Sequence, residues 1–167
     1  MKKTKKLVFM ALLTAIALAI WVIEAQIPMP VPIPGVKLGL SSAVTLTAMA
    51  LLSRRDALTV LLARVVLASL FTGSFSAILF SLTGGLLSWA VMSLVLKPFR
   101  EGQLWLVSVL GAVAHNAGQL LAAMAVTKTA SLAVYAPALL CSGIITGAFT
   151  GAAAMYLHKA LQGRISF

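Results

Sequence analysis

The chain has 167 residues, of which 61% are hydrophobic and 10% charged, and its mean hydropathy is +1.06. That leaves too little polar surface to cover a soluble globule of this size, so composition places the chain in lipid. The formal net charge is +10, from thirteen Lys and Arg against three acids. Almost all of the basic residues nevertheless fall between apolar stretches, a pattern that an anionic inner leaflet attracts and that points away from nucleic acid as a partner.

The amino-terminal tail carries Lys2, Lys3, Lys5 and Lys6, and the apolar run Leu7–Ile27 follows. That run is long enough to cross a bilayer core of about 30 Å at about 1.5 Å per residue. A Pro-rich segment comes next in place of an A-x-A-like cleavage site, so the first helix is expected to stay in the protein. In Pro28-Met29-Pro30-Val31-Pro32-Ile33-Pro34-Gly35, proline at every second position prevents helix and regular ladder pairing, so the loop is expected to be stiff and extended. It reads equally as a spacer or as a lid over the outer face of a bundle.

Leu38–Ser53 and Ala57–Thr72 flank Arg54-Arg55-Asp56. Each arm reaches only about 24 Å, so the stretch predicts two short crossings joined by a tight turn, with a re-entrant hairpin of the same parity as the alternative. Phe75–Leu96, Leu104–Val126 and Leu132–Leu157 are each long enough to span. The prediction is an all-α, polytopic bundle of six transmembrane helices, a single integral membrane domain over residues 1–167. The gaps alternate in charge: the amino-terminal tail, Arg54 and Arg55, Lys97 and Arg100, and Lys159 with Arg164 are basic, whereas the intervening gaps hold only Lys37 and Lys128. Short basic loops stay on the cytoplasmic side, so a multi-pass cell-membrane protein with both termini cytoplasmic is expected.

Small residues recur in steps of four at Ala11, Ala15 and Ala19 on the first helix and at Gly143, Gly147 and Gly151 on the last. Such stripes let helix backbones touch, either inside the bundle or against a partner subunit. The single Cys141 permits no intramolecular disulfide and reads as a small packing residue.

Ionisable and amide side chains at membrane depth need a partner, water or a ligand. Arg64 lies about 12 Å along its helix, His115 and Asn116 lie about 16–18 Å along the fifth, and Gln119 is one turn further on the His115 face. These four could line one cavity. Glu24 and Gln26 end the first helix near the outer surface, and Lys37 closes the prolyl loop, adding a charged rim. The competing reading is structural: an ion pair or carbonyl cap for Arg64, and interhelical hydrogen bonds for His115 and Asn116. No acid stands at the counted depth of Arg64, which favours an anionic or carbonyl-rich ligand as its counterpart. His158 beside Lys159 reads as an interfacial anchor.

The chain has no Gly-rich phosphate loop, no H-E-x-x-H and no paired carboxylates at helical spacing. Three scattered acids cannot gather the oxygens that magnesium-dependent diphosphate chemistry requires. No catalytic residue, metal ligand or cofactor is therefore expected, and any nucleotide-driven motor must be another chain.

Several blocks carry a resemblance along nearly the whole length: Pro34-Gly35-Val36-Lys37-Leu38-Gly39-Leu40, Ala63-Arg64-Val65-Val66-Leu67 with Ser69-Leu70-Phe71-Thr72-Gly73, Phe80-Ser81-Leu82-Thr83-Gly84-Gly85, Gly111-Ala112-Val113-Ala114-His115-Asn116-Ala117-Gly118-Gln119, and Ser142-Gly143-Ile144-Ile145-Thr146-Gly147. They resemble the Gx transporter family, also labelled heptaprenyl diphosphate synthase component I. That family is similar to the substrate-binding S components of energy-coupling factor transporters. The resemblance implies six helices, a first outer loop over a small-molecule site, and an alanine stripe, matched by Ala11, Ala15 and Ala19, that docks on a transmembrane coupling subunit served by ATPases. The second label implies a non-catalytic membrane partner of isoprenoid or quinone synthesis, and a membrane anchor in a flavin- or quinone-linked electron-transfer assembly is a further alternative. The candidate ligand contacts are Arg64, His115, Asn116, Gln119 and Lys37.

Overall fold

The computed structural model describes residues 2–27, 39–73, 75–96 and 103–161. These form six α-helices: α1 (Lys2–Glu24), α2 (Ser42–Leu51), α3 (Arg54–Thr72), α4 (Phe75–Val95), α5 (Leu104–Thr127) and α6 (Ala136–Leu161), with a 3₁₀ turn over Ala130–Tyr135 leading into α6. No strand occurs among the described residues. Four stretches, Lys3–Glu24, Ile78–Val95, Leu104–Thr127 and Ala130–Leu161, are long and apolar enough to cross a membrane.

The two arms expected between residues 38 and 72 are unequal. α2 has 10 residues, about 15 Å, and reaches only half-way through a bilayer, whereas α3 has 19, about 28 Å. Arg54, Arg55 and Asp56 are not the turn between the arms but the first turn of α3. The reason is a cap: the Ser53 hydroxyl accepts the Asp56 backbone N–H at 3.2 Å and donates to the Asp56 carboxylate at 2.5 Å, which starts the helix one residue after Ser53. Gly73 ends α3 in the left-handed conformation at φ +60°, its N–H donating to the Ser69 carbonyl at 2.9 Å.

α2 occupies the middle of the bundle and touches all five other α-helices. Its sequence explains the position, because Ser42, Thr45, Thr47 and Ala48 are small enough for close approach and are buried together with Val44, Leu46 and Met49. Around it pack Leu13 and Ala17 of α1, Ala57 and Val60 of α3, Met92 of α4, Val107 of α5 and Ala154 of α6. The glycine stripe of α6 lies inside the bundle: Gly143, Gly147 and Gly151 back onto the Cα atoms of Val113, Val109 and Trp105. A Cβ at Gly151 would stand 2.6 Å from the Trp105 Cα, so glycine there sets how near α5 and α6 can come.

The contacts fix helix directions. Lys6 on α1 pairs with Asp56 at the start of α3 at 2.8 Å, and the Trp89 indole on α4 donates to the Arg54 carbonyl at 2.9 Å. Gly111 of α5 abuts Met92 of α4, and Gly151 of α6 abuts Trp105 of α5. The starts of α1, α3 and α5 and the ends of α2, α4 and α6 therefore share one end of the bundle, here the basic end, which holds Lys3, Lys5, Lys6, Arg54, Arg55 and Lys159. Lys128 caps α5 at the opposite end. Burial at Asp56 acts to raise its pKa, but the hydrogen bonds from Lys6 and Ser53 and the Lys6 charge outweigh that effect, and the carboxyl titrates below its ordinary range.

Candidate functional site

Measured from the basic end at about 1.5 Å per residue, Arg64 on α3, Gly84 on α4 and His115 on α5 all lie roughly 15–17 Å deep, near the middle of a bilayer core of about 30 Å. α2 begins at a similar depth, and the turn before it carries Gly39. Four helices thus bring chemistry to one level. Arg64 is 2% exposed, His115 3% and Gln119 2%. His115 and Gln119 are one turn apart on α5, and their Nε2 atoms are 3.1 Å from each other. With the Gln119 amide donating, the ring proton of His115 resides on Nδ1. Arg64 lies within electrostatic reach of His115.

The imidazole is clamped between two glycines. A Cβ on Gly39 would come 2.7 Å from the His115 Cδ2, and one on Gly84 would come 3.2 Å from its Cε1. The Gly39 backbone has φ +79°, which a side chain would also strain. The ring lies against the Gly84 backbone, yet His115 Nδ1 makes no hydrogen bond of normal geometry. Arg64 Nε likewise has no partner.

The acid absent from the depth count is Glu24. It is 3% exposed, accepts the Gly39 N–H, and lies within electrostatic reach of Arg64. Counting along straight helices puts Glu24 at the outer surface as part of a rim, but the structure turns it into the bundle, where it both satisfies a backbone N–H and balances Arg64. The sequence signal was present in the scarcity of acids: Glu24 is the sole acid outside the Asp56 and Glu101 positions.

Asn116 does not join this group. It is 2% exposed, and its Nδ2 donates to the Leu139 carbonyl of α6 at 2.8 Å, on the other side of α5. Its Oδ1 has no partner. It lies in the wall of an apolar groove of about 400 Å³ between α5 and α6, with Val113, Ala117, Leu120, Pro137 and Leu140. A second recess of about 500 Å³ lies between the same helices at the basic end, lined by Trp105, Ala148, Ala152, Met155, Tyr156 and Lys159. Lys37 and the prolyl segment lie outside the described residues. Ala11, Ala15 and Ala19 are all exposed on α1, whose main contacts among the described residues are with α2 and α3, so the described bundle does not bury this stripe. Cys141 is exposed on α6 and fills no gap in the core. Among the described residues no three His, Cys, Asp or Glu side chains gather as a metal site would require.

Comparison with curated proteins and with solved structures gives no match. The profile of the family described as heptaprenyl diphosphate synthase component I matches residues 13–157, from the middle of α1 to the last turns of α6. The match takes in the Glu24, Arg64, His115 and Gln119 cluster, and the chain belongs to the heptaprenyl diphosphate synthase component I family.

Proposed function

We propose that this chain is a substrate-binding subunit, similar to an energy-coupling factor S component, that captures a small molecule for uptake across the cell membrane. The observation that carries this reading is the mid-depth cluster, in which Arg64 Nε is buried without a hydrogen-bond partner beside His115 and Gln119. Each orphaned buried donor costs about 1–3 kcal/mol, a cost that a ligand acceptor would offset. Because Glu24 already balances Arg64, the ligand need not be an anion. A neutral, carbonyl-bearing molecule fits the open Arg64 Nε donor beside a charge that Glu24 already offsets. Arg64, His115 and Gln119 make the central contacts in this reading and Lys37 stands at the entrance, whereas Asn116 holds α5 to α6 through the Leu139 carbonyl.

The rest of the reading concerns setting. The chain acts as one integral membrane domain over residues 1–167, both termini are cytoplasmic, and the exposed Ala11, Ala15 and Ala19 face of α1 docks on a transmembrane coupling subunit driven by ATPases. The chain itself catalyses nothing. The family description supports a second reading, a non-catalytic membrane component of a prenyl diphosphate synthase, in which the same α1 face would meet a synthase subunit.

Native mass spectrometry of the gently solubilised protein tests the site. A retained small molecule should be lost from Arg64→Ala and His115→Ala, and partly kept by Arg64→Lys, since an ammonium lacks the guanidinium fork. Lower melting temperatures with unchanged retention would mean that the cluster only holds helices together. Ala15→Trp, on an exposed face, should leave folding intact and abolish co-purification with a partner; the partner's identity, ATP-driven transporter or synthase, separates the two readings.

A further inference from the structure

The recess at the basic end of α5 and α6 has no part in the substrate reading, and its chemistry is graded from one end to the other. Its lining positions on α6, Ala148, Ala152, Met155, Tyr156 and Lys159, follow one another at helical spacing along one face. Ala148 and Ala152 make the hollow, since they are too small to fill the space beside Trp105. The hollow cannot collapse by drawing the helices together, because Gly147 and Gly151 already bring α6 against the α5 backbone. The far end is apolar; the near end carries the Trp105 indole N–H, the Tyr156 hydroxyl and the Lys159 ammonium. Among the described residues none of the three makes a hydrogen bond or ion pair, and Tyr156 is 79% exposed.

Depth and charge decide what such a hollow takes. Trp105 is the second residue of α5 and Lys159 lies in the last turn of α6, so the donors stand at the level where a membrane helix leaves the hydrocarbon. Lys3, Lys5, Lys6, Arg54, Arg55 and Lys159 occupy this end, and its one described acid, Asp56, is engaged by Lys6. A zwitterionic headgroup gains little from that field, whereas an anionic one gains about 1 kcal/mol per nearby Lys or Arg. Ala152 and Trp105 in its wall are exposed, where lipid tails would contact them.

We infer that this recess is a specific site for one anionic phospholipid, with an acyl chain over Ala148 and Ala152 and the phosphate at Trp105, Tyr156 and Lys159. The site is distinct from the mid-depth cluster and does not depend on which small molecule, if any, that cluster holds.

The test uses the full-length protein and titrates phosphatidylglycerol and, separately, phosphatidylcholine, reading bound lipid by native mass spectrometry. One phosphatidylglycerol per chain should be retained in preference to phosphatidylcholine. Lys159→Gln should weaken phosphatidylglycerol about fivefold, the equivalent of one lost charge contact, and leave phosphatidylcholine unchanged. Ala152→Phe, at an exposed position, should fill the hollow and displace the bound lipid at an unaltered melting temperature. Lys3→Gln, at the same end but away from the recess, should change nothing. Equal retention of the two lipids, or an equal effect of Lys3→Gln and Lys159→Gln, would overturn the proposal by showing only diffuse charge. A polyprenyl phosphate carried through purification at the recess, or a dimer closed over it, would also overturn it, since either names a different occupant.

Discussion

Glu24 is the residue on which the site turns. A depth count assigns it to the surface and leaves Arg64 without a counter-charge, yet the buried carboxylate accepts the Gly39 N–H and faces Arg64. The need for polar partners at Arg64, His115 and Gln119 was legible because an ionisable group in an apolar run stands out in any sequence. The identity of the partner was not, because it depends on how α1 leans across the bundle and on the turn before α2, neither of which periodicity encodes. Glu24→Gln keeps an acceptor for Gly39 but removes the charge within electrostatic reach of the buried Arg64, and should destabilise the protein. The double change Glu24→Gln with Arg64→Met should recover a large part of that loss, measured by unfolding in detergent. Strictly additive losses would mean that the two side chains do not interact.

At the scale of elements, spacing alone could not separate two small-residue stripes that the structure uses differently. The glycines of α6 face α5 from within, whereas the alanines of α1 face outward. Sequence carries the periodicity of a stripe but not what lies opposite it. The difference gives a contrast between two glycines. Gly151→Ala drives a Cβ into the Trp105 backbone and should destabilise the protein by about 1–3 kcal/mol, as overpacking does. At Gly73 a Cβ would meet nothing within 4 Å, and glycine is required there only for its positive φ, so Gly73→Asn, which tolerates that conformation, should be nearly neutral. Thermal unfolding of both variants checks this, and equal losses would remove the assigned roles.

For the molecule as a whole, charge was the most legible signal. The contacts gather Lys6, Arg54, Arg55 and Lys159 at one end and put Lys128 at the other, which is the arrangement that alternating gaps imply, although the side of the membrane follows only from the positive-inside rule. The half-length of α2 was less legible, because Leu38–Ser53 is apolar beyond the point where the helix begins. In a Cys141→Ala background, a Lys128→Cys variant should label with an impermeant thiol reagent in intact cells and an Arg55→Cys variant should not. The reverse pattern would invert the topology.

The shortness of α2 also constrains the order in which the chain can enter its membrane. Ten residues are too few to be released into lipid as a span, and α3 carries Arg64, a residue type that costs about 2.5–3.5 kcal/mol at the centre of a helix during insertion. Only Leu52 and Ser53 separate the two helices, so they must go in together as a hairpin. The carboxylate that Arg64 needs arrives earlier, on α1, and is already in place when the hairpin is made. A nascent chain halted after α3 should therefore keep an Arg55→Cys thiol shielded from the outside when Glu24 is present, and expose it when Glu24→Gln removes the charge that awaits the arginine.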